Sequence, residues 1–282
     1  MKVIGVIGSG QMGSGIAQVC ATAGFELWLY DIAHEPLQKA HKNIETSLEK
    51  LAAKGKLTGT EVKEAMTRLN ITSKLEDLKA CHFCIEAATE KESLKKKIFK
   101  ELDALVEPET VLATNTSSIP ISQLGAATKR PDKVIGMHFM NPVPLMALVE
   151  IIRGEKTSDE THRKTLELAK KLGKTPVTVK DSPGFVVNRI LAPMLNEAVW
   201  ALHEGLATKE DIDAAMKTGC NFPMGPLALA DFVGLDTCLF ILEVMHKGLK
   251  EDKFKPCPLL KRYVEEGRLG RKTGEGFYKY IA

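Results

Sequence analysis

The chain has 282 residues, enough for one large domain or two ordinary ones with ample material for a buried core. Its 39 basic and 36 acidic side chains are interspersed and leave a formal charge of only +3, which argues against a nucleic-acid partner. No run approaches the roughly 20 apolar residues that a membrane span needs, and the first apolar stretch is too short for a signal peptide, so no membrane partner and a cytoplasmic location are expected.

The first element is an apolar strand, Lys2 to Ile7, that runs straight into Gly8-Ser9-Gly10-Gln11-Met12-Gly13 and a helix-like stretch from Ser14 to Ala23. A strand that turns through glycines into a helix aims backbone N–H groups and the positive end of a helix dipole at a pyrophosphate. In that arrangement Gly8 makes the tight turn, Gly10 admits the phosphates, and Gly13 lets the helix pack closely on the sheet. The next apolar run, Phe25 to Tyr30, ends in Asp31, where a dinucleotide fold places the carboxylate that binds a ribose 2′-OH and repels a 2′-phosphate.

From Pro36 to Lys54 the apolar residues recur at helical spacing, and Thr58-Gly59-Thr60-Glu61 offers a capping box for another helix, so a helical hairpin is inserted into the βα alternation. Strand-like runs follow at Asn70–Ser73, Cys81–Ala87, Thr110–Thr114, Val134–Phe139 and Ala147–Ile152. The lysines between Lys91 and Lys100 read first as the solvated face of a helix whose other face carries Leu94, Ile98 and Leu102, with contact of one or two of them to a cofactor or substrate phosphate as the alternative. Cys81-His82-Phe83-Cys84 has no second pair at ligand spacing and reads as core packing, with no metal expected; the scattered cysteines suit a reducing compartment. Thr157 and Glu160 cap a helix to about Leu172, and Thr175–Lys180 makes a last strand.

The character changes at Asp181-Ser182-Pro183-Gly184. Helices are expected at Phe185–Glu204, Thr208–Thr218, Pro226–Leu249 and Pro258–Glu266, with no convincing strand among them. The reading is an α/β, Rossmann-type doubly wound sheet with an inserted helical hairpin over residues 1–182, followed by an all-α domain over 183–282. Apolar residues on more than one face of Val186–Val199 and Leu227–Val244 suit an oligomer interface, and internal burial explains them nearly as well.

Several polar residues fall where strands end or helices begin. His138 closes the strand Val134–Met137, at the edge where an open α/β sheet keeps its ligands, and an imidazole titrates near neutrality; taken alone it reads first as a packed or surface histidine. Glu150 lies in the run Ala147–Ile152, across a loop with Pro142 and Pro144 that can return the chain alongside His138; a solvent-facing glutamate at a strand end is the alternative. Asn115-Thr116-Ser117-Ser118 follows another strand and reads also as a turn or helix cap, while Asn188 lies a turn into the helix opened by Pro183-Gly184. Ser117 and Asn188 converging on a substrate oxygen would stabilise a developing alkoxide.

Taken in order, the glycine turn, Asn115–Ser118, His138-Phe139-Met140-Asn141-Pro142-Val143-Pro144, Ser182–Arg189 and Gly270–Tyr278 resemble the L-3-hydroxyacyl-CoA dehydrogenase family, from end to end and most like its stand-alone bacterial members. The resemblance implies an NAD-dependent interconversion of (S)-3-hydroxybutyryl-CoA and acetoacetyl-CoA, with His138 as general acid/base, Glu150 orienting it, and Ser117 and Asn188 on the reacting oxygen. It implies dinucleotide contacts at Gly8, Gly10, Gln11, Met12, Gly13, Asp31, Glu90, Lys95, Asn115, Ser117, Asn141 and Lys272. It places Ser47 and Lys54, with Ser117 and Asn188, on an acyl-CoA substrate, and implies a homodimer through the C-terminal helical domain. An NADP-preferring version of the reaction and a related sugar-acid or hydroxy-acid dehydrogenase are the alternatives.

Overall fold

A computed structural model describes residues 2–280; Met1, Ile281 and Ala282, at the ends of the two expected domains, lie outside the described residues. The chain separates into two compact units, one ending at Ser182 and the other beginning at Pro183.

In chain order, the first unit contains β1 (Val3–Ile7), α1 (Gln11–Thr22), β2 (Glu26–Tyr30), α2 (His34–Ala53), α3 (Gly59–Arg68), β3 (Leu69–Thr72), β4 (Phe83–Glu86) and α4 (Glu92–Leu105). It continues with β5 (Val111–Thr114), α5 (Ile121–Gly125), β6 (Val134–Phe139), β7 (Leu148–Arg153), α6 (Asp159–Lys171) and β8 (Thr175–Lys180). The strands form a single sheet in the order β3-β2-β1-β4-β5-β6-β7-β8. Neighbours are parallel except β6 and β7, which pair antiparallel with His138 directly opposite Glu150. Because β1, β4, β5 and β6 run the same way, Gly8, Glu86, Thr114 and His138 all emerge at one carboxyl edge, where open α/β sheets bind ligands.

The inserted hairpin is α2 and α3, and its second helix starts on the expected capping box: Thr58 accepts from the Glu61 N–H while the Glu61 carboxylate accepts from the Thr58 N–H. On α2, Leu37, Ala40, Ile44 and Leu48 bury against the sheet side, which leaves Lys39, Asn43, Ser47 and Lys50 on the other stripe.

Local details differ from the sequence reading. The cap of α6 is Ser158, which accepts from the Thr161 N–H, while Thr157 turns inward and donates its hydroxyl to the Val134 carbonyl. In α4 the buried face is Lys95, Phe99 and Leu102, turned from the Leu94–Ile98–Leu102 stripe, because the Lys95 ammonium finds anionic partners inside. The stretch Pro226–Leu249 is two helices, broken at Gly234, whose φ of 101° no helix accommodates.

The second unit comprises α7 (Val187–His203), α8 (Lys209–Gly219), α9 (Pro226–Val233), α10 (Leu235–Leu249) and α11 (Pro258–Glu265) around a core that includes Leu195, Val199, Leu227, Leu242, Met245 and Leu260. Left-handed turns at Gly184 and Phe185 delay the start of α7 to Val187, so Asn188 is its second residue rather than lying a full turn in. The Gly270–Tyr278 segment folds back on Asp231, whose buried carboxylate accepts from the Phe277 and Tyr278 N–H groups and the Tyr280 hydroxyl. A Cβ on Gly276 would sit 2.0 Å from Asp231 Oδ1, so this glycine is required by packing.

Candidate active site

The turn after β1 is built as an anion cradle. Gly8 has φ 101°, and a Cβ on Gly13 would stand 1.8 Å from the Gly8 carbonyl oxygen, so the turn and the first turn of α1 close together only with glycine at both positions. A Cβ at Gly10 would meet nothing within 4 Å, which leaves open space at the N-terminus of α1. That terminus carries no side-chain cap and no acidic residue in its first turn, so its N–H groups point at a site suited to a phosphate. Asp31, just past β2, is fixed at the same edge: its carboxylate accepts from the Ser9 N–H and the Ser9 hydroxyl, both at 2.8 Å.

At the end of β6 the cross-strand register does the chemical assembly. Directly opposite residues of an antiparallel pair project to the same face, and His138 Nδ1 lies 2.8 Å from Glu150 Oε2. Both are buried, at 6 % and 1 % exposure. On the other side of the ring, Nε2 lies 3.1 Å from Ser117 Oγ. With Glu150 ionised, Nδ1–H donates to it and the Nε2 lone pair faces the serine hydroxyl, the arrangement of a general base held in one tautomer. Asn115 ties the strand ends together, because its Oδ1 accepts from the Phe139 N–H.

A second cluster braces the Ser117 turn. Glu86 closes β4 with its side chain fully buried; it accepts from Lys95 Nζ at 2.7 Å, the Ala88 N–H at 2.7 Å and the Thr114 hydroxyl at 2.6 Å. The Lys95 ammonium also donates to the Ala88 carbonyl at 3.0 Å and lies 3.3 Å from Glu90 Oε2. Glu90 Oε1 in turn accepts from the Ser117 N–H at 3.0 Å, the Ser118 N–H at 3.1 Å, the Ser118 hydroxyl at 2.8 Å and the Thr116 hydroxyl. Burial works to raise the Glu90 carboxyl, but the Lys95 charge and these donors outweigh it and hold the group below the usual carboxylate range. Lys95 is therefore no part of a solvated face. Glu86 was not singled out from the sequence, where the available signal was a carboxylate closing an apolar strand, while Thr116 and Ser118 were read there as part of a turn or helix cap.

Between the glycine turn, α2 and the loop after β6 lies a cavity of about 850 Å³. Its walls include Gly10, Gln11, Ser47, Lys54 and Asn141, so the structure brings part of the expected cofactor set and both expected CoA residues to one space. Lys39, Asn43 and Lys50 share the α2 stripe and line it too; the steps of four, four and three residues from Lys39 through Asn43 and Ser47 to Lys50 were readable from the sequence. The floor is closed by Val143, and a Cβ on Gly15 would come within 2.8 Å of the Val143 Cβ. Lys174 pins this loop by donating to the Val143 and Met146 carbonyls, and burial lowers its ammonium from the usual value. Asn188 and Lys272 belong to the second unit, where the Lys272 ammonium is held by Asp236 at 2.5 Å.

Residues 3–182 match the 3-hydroxyacyl-CoA dehydrogenase NAD binding domain, and residues 184–280 match the C-terminal domain of the same family. The chain is 54% identical over 280 residues to a probable 3-hydroxybutyryl-CoA dehydrogenase of Bacillus subtilis, covering 99% of this chain and 98% of that one. It is 52% identical over 280 residues to a 3-hydroxybutyryl-CoA dehydrogenase of Bradyrhizobium diazoefficiens, covering 99% and 96%. Among solved structures it is similar to (S)-3-hydroxybutyryl-CoA dehydrogenase from Ralstonia eutropha, with a TM-score of 0.98, 50% identity and full coverage of both chains. With both of its units matched and the histidine–carboxylate pair seated at the sheet edge, the chain belongs to the 3-hydroxyacyl-CoA dehydrogenase family.

Proposed function

We propose that the chain interconverts (S)-3-hydroxybutyryl-CoA and acetoacetyl-CoA with NAD as hydride carrier. The observation that carries this reading is the chain of contacts Ser117–His138–Glu150 at the carboxyl edge of the sheet that also bears the open glycine turn. When bound, the dinucleotide accepts or supplies the hydride at the substrate's C3.

The chain's own residues hold the parts and move the proton. Gly8, Gly10, Gln11, Met12 and Gly13 offer the pyrophosphate an uncapped helix terminus, and Asp31 takes the ribose 2′-OH. The family resemblance adds Glu90, Lys95, Asn115, Asn141 and Lys272 to the cofactor side. His138 Nε2 takes the 3-hydroxyl proton in oxidation and returns it to the ketone oxygen in reduction. Glu150 keeps the imidazole in the competent tautomer and stabilises the imidazolium that forms. Ser117 hydrogen-bonds the reacting oxygen as its charge develops, a role in which the family resemblance also includes Asn188. Ser47 and Lys54 hold the coenzyme A portion in the large cavity, which a free hydroxy acid would leave empty.

Among the described residues no helix is long and apolar enough to cross a membrane. Ile190 and Phe240 of the second unit are 66% and 44% exposed, which supports a homodimer through the helices that carry them. The direct test is the loss of absorbance of NADH on addition of acetoacetyl-CoA, repeated with NADPH and with free coenzyme A as competitor. Rapid loss with NADH, little with NADPH and competition by coenzyme A are expected. No turnover by folded protein that binds NADH would remove the short-chain acyl-CoA reading.

A further inference from the structure

The Ser117 hydroxyl sits on His138 at the tip of a turn that no helix or strand supports, since β5 ends at Thr114 and α5 begins only at Ile121. What fixes the tip is Glu90. Its Oε1 gathers the N–H groups of Ser117 and Ser118 together with the hydroxyls of Thr116 and Ser118, so a single oxygen holds three consecutive residues. The Thr116 hydroxyl oxygen, itself held by Glu90, accepts from the Ser118 and Ile119 N–H groups and closes the turn from inside. Glu90 is in turn anchored from behind by Lys95, a 1 % exposed ammonium whose other partners are the fully buried Glu86 carboxylate and the Ala88 carbonyl. Glu86 also accepts from Thr114, the residue that ends β5 before the turn. One connected path of hydrogen bonds and ion pairs therefore runs from the carboxyl end of β4 through Lys95 and Glu90 to the serine on the imidazole.

We propose that Glu90, braced by Lys95 and Glu86, is a positioning residue for the reaction: beyond any contact with the dinucleotide, its carboxylate sets the Thr116–Ser118 turn so that Ser117 Oγ is held on His138 Nε2. This rests on the reading of His138 as the acid/base and adds the device that aims its serine partner. A carboxylate suits the task because one oxygen can accept from several converging N–H and O–H donors while the other faces the ammonium. The consequence is geometric. Releasing the turn lets Ser117 Oγ drift by the order of an ångström, a misplacement that costs about 100-fold in rate when the displaced group must meet a reacting atom.

The test uses Glu90→Ala, Ser117→Ala and the double variant in the full-length protein. The ¹⁵N resonance of His138 Nε2, read on resting protein without substrate, reports the serine contact independently of turnover. Glu90→Ala is expected to move that resonance toward its value in Ser117→Ala. Under saturating NADH and acetoacetyl-CoA, kcat is expected to fall about 100-fold in Glu90→Ala, whereas the same substitution made on Ser117→Ala changes kcat by less than about threefold, because the two residues act as one unit. An unmoved Nε2 resonance overturns the proposal. So does a full Glu90→Ala penalty persisting without the serine, or a loss confined to the NADH dissociation constant with kcat at saturation intact. Should Glu90→Ala fail to fold, Glu90→Gln keeps the shape and one acceptor oxygen. It is expected to shift Nε2 in the same direction by less and to lower kcat about tenfold; no shift and no loss there also overturn the assignment. Because the resonance is read without turnover, absence of acetoacetyl-CoA reduction by the unaltered protein counts against the enzymatic reading alone.

Discussion

Glu150→Gln isolates the charge of the carboxylate from its shape. In the folded protein Nδ1 and Oε2 are 2.8 Å apart, which places the charge centres of an imidazolium and a carboxylate roughly 4 Å apart, worth about 4 kcal/mol at an effective dielectric of about 20. That stabilisation is realised only when His138 holds the proton, so its loss falls on the step in which the proton moves; at about 1.4 kcal/mol per decade the expected drop in kcat is about 10³-fold. The amide can also turn its NH₂ toward Nδ1, which would put the ring proton on Nε2 and leave no base facing the substrate. Folding should survive, because a neutral amide beside a neutral imidazole leaves no unpaired charge in the buried site. The assay is kcat for (S)-3-hydroxybutyryl-CoA oxidation at saturating NAD, the direction in which the imidazolium forms, with NADH affinity measured by fluorescence titration and expected to be near that of the unaltered protein. A kcat within about tenfold of the unaltered protein would refute the electrostatic role of Glu150.

Asp31→Ala should weaken NADH binding by about tenfold, the loss of a hydrogen bond to a charged acceptor, and raise the relative use of NADPH; an unchanged preference for NADH would remove Asp31 from the cofactor choice. Lys54→Ala should raise the KM for acetoacetyl-CoA about fivefold, as expected for an exposed charge pair worth about 1 kcal/mol, with kcat unaffected; a change in kcat alone would contradict a role on the coenzyme A portion. Burial holds the Lys174 ammonium below its ordinary value of 10.5. Between that lowered value and 10.5 the unfolded chain binds the proton more tightly, so the stability of the unaltered protein relative to Lys174→Met should rise as pH increases through the window. Chemical denaturation at a series of alkaline pH values reads this difference, and a flat or falling one would refute the sign. Phe240→Glu should shift the protein to monomer in light scattering if the exposed apolar faces of the second unit pair with a second copy.

Much was legible from local order. Glycine turns depend on backbone sterics confined to a few residues, so the strand–glycine–helix–strand–acid order at the N-terminus and the capping box at Thr58–Glu61 could be read directly, as could the helical spacing of α2 and the shift to an all-helical unit after Ser182. The motifs spread along the chain were enough to identify the family. Tertiary structure decided what depends on pairing between distant segments. The register that sets His138 opposite Glu150 comes from an antiparallel step in an otherwise parallel neighbourhood, and no spacing in the chain dictates it. Lys95 looks like a surface lysine until Glu86, at the end of a strand, is placed behind it, because a buried charge is tolerated only beside its partner. The Glu90 clamp on the Ser117 turn likewise joins residues 26 to 28 positions apart. Local sterics and periodicity are encoded in neighbouring residues, whereas compensation of buried charge is a property of groups that only the fold brings into contact.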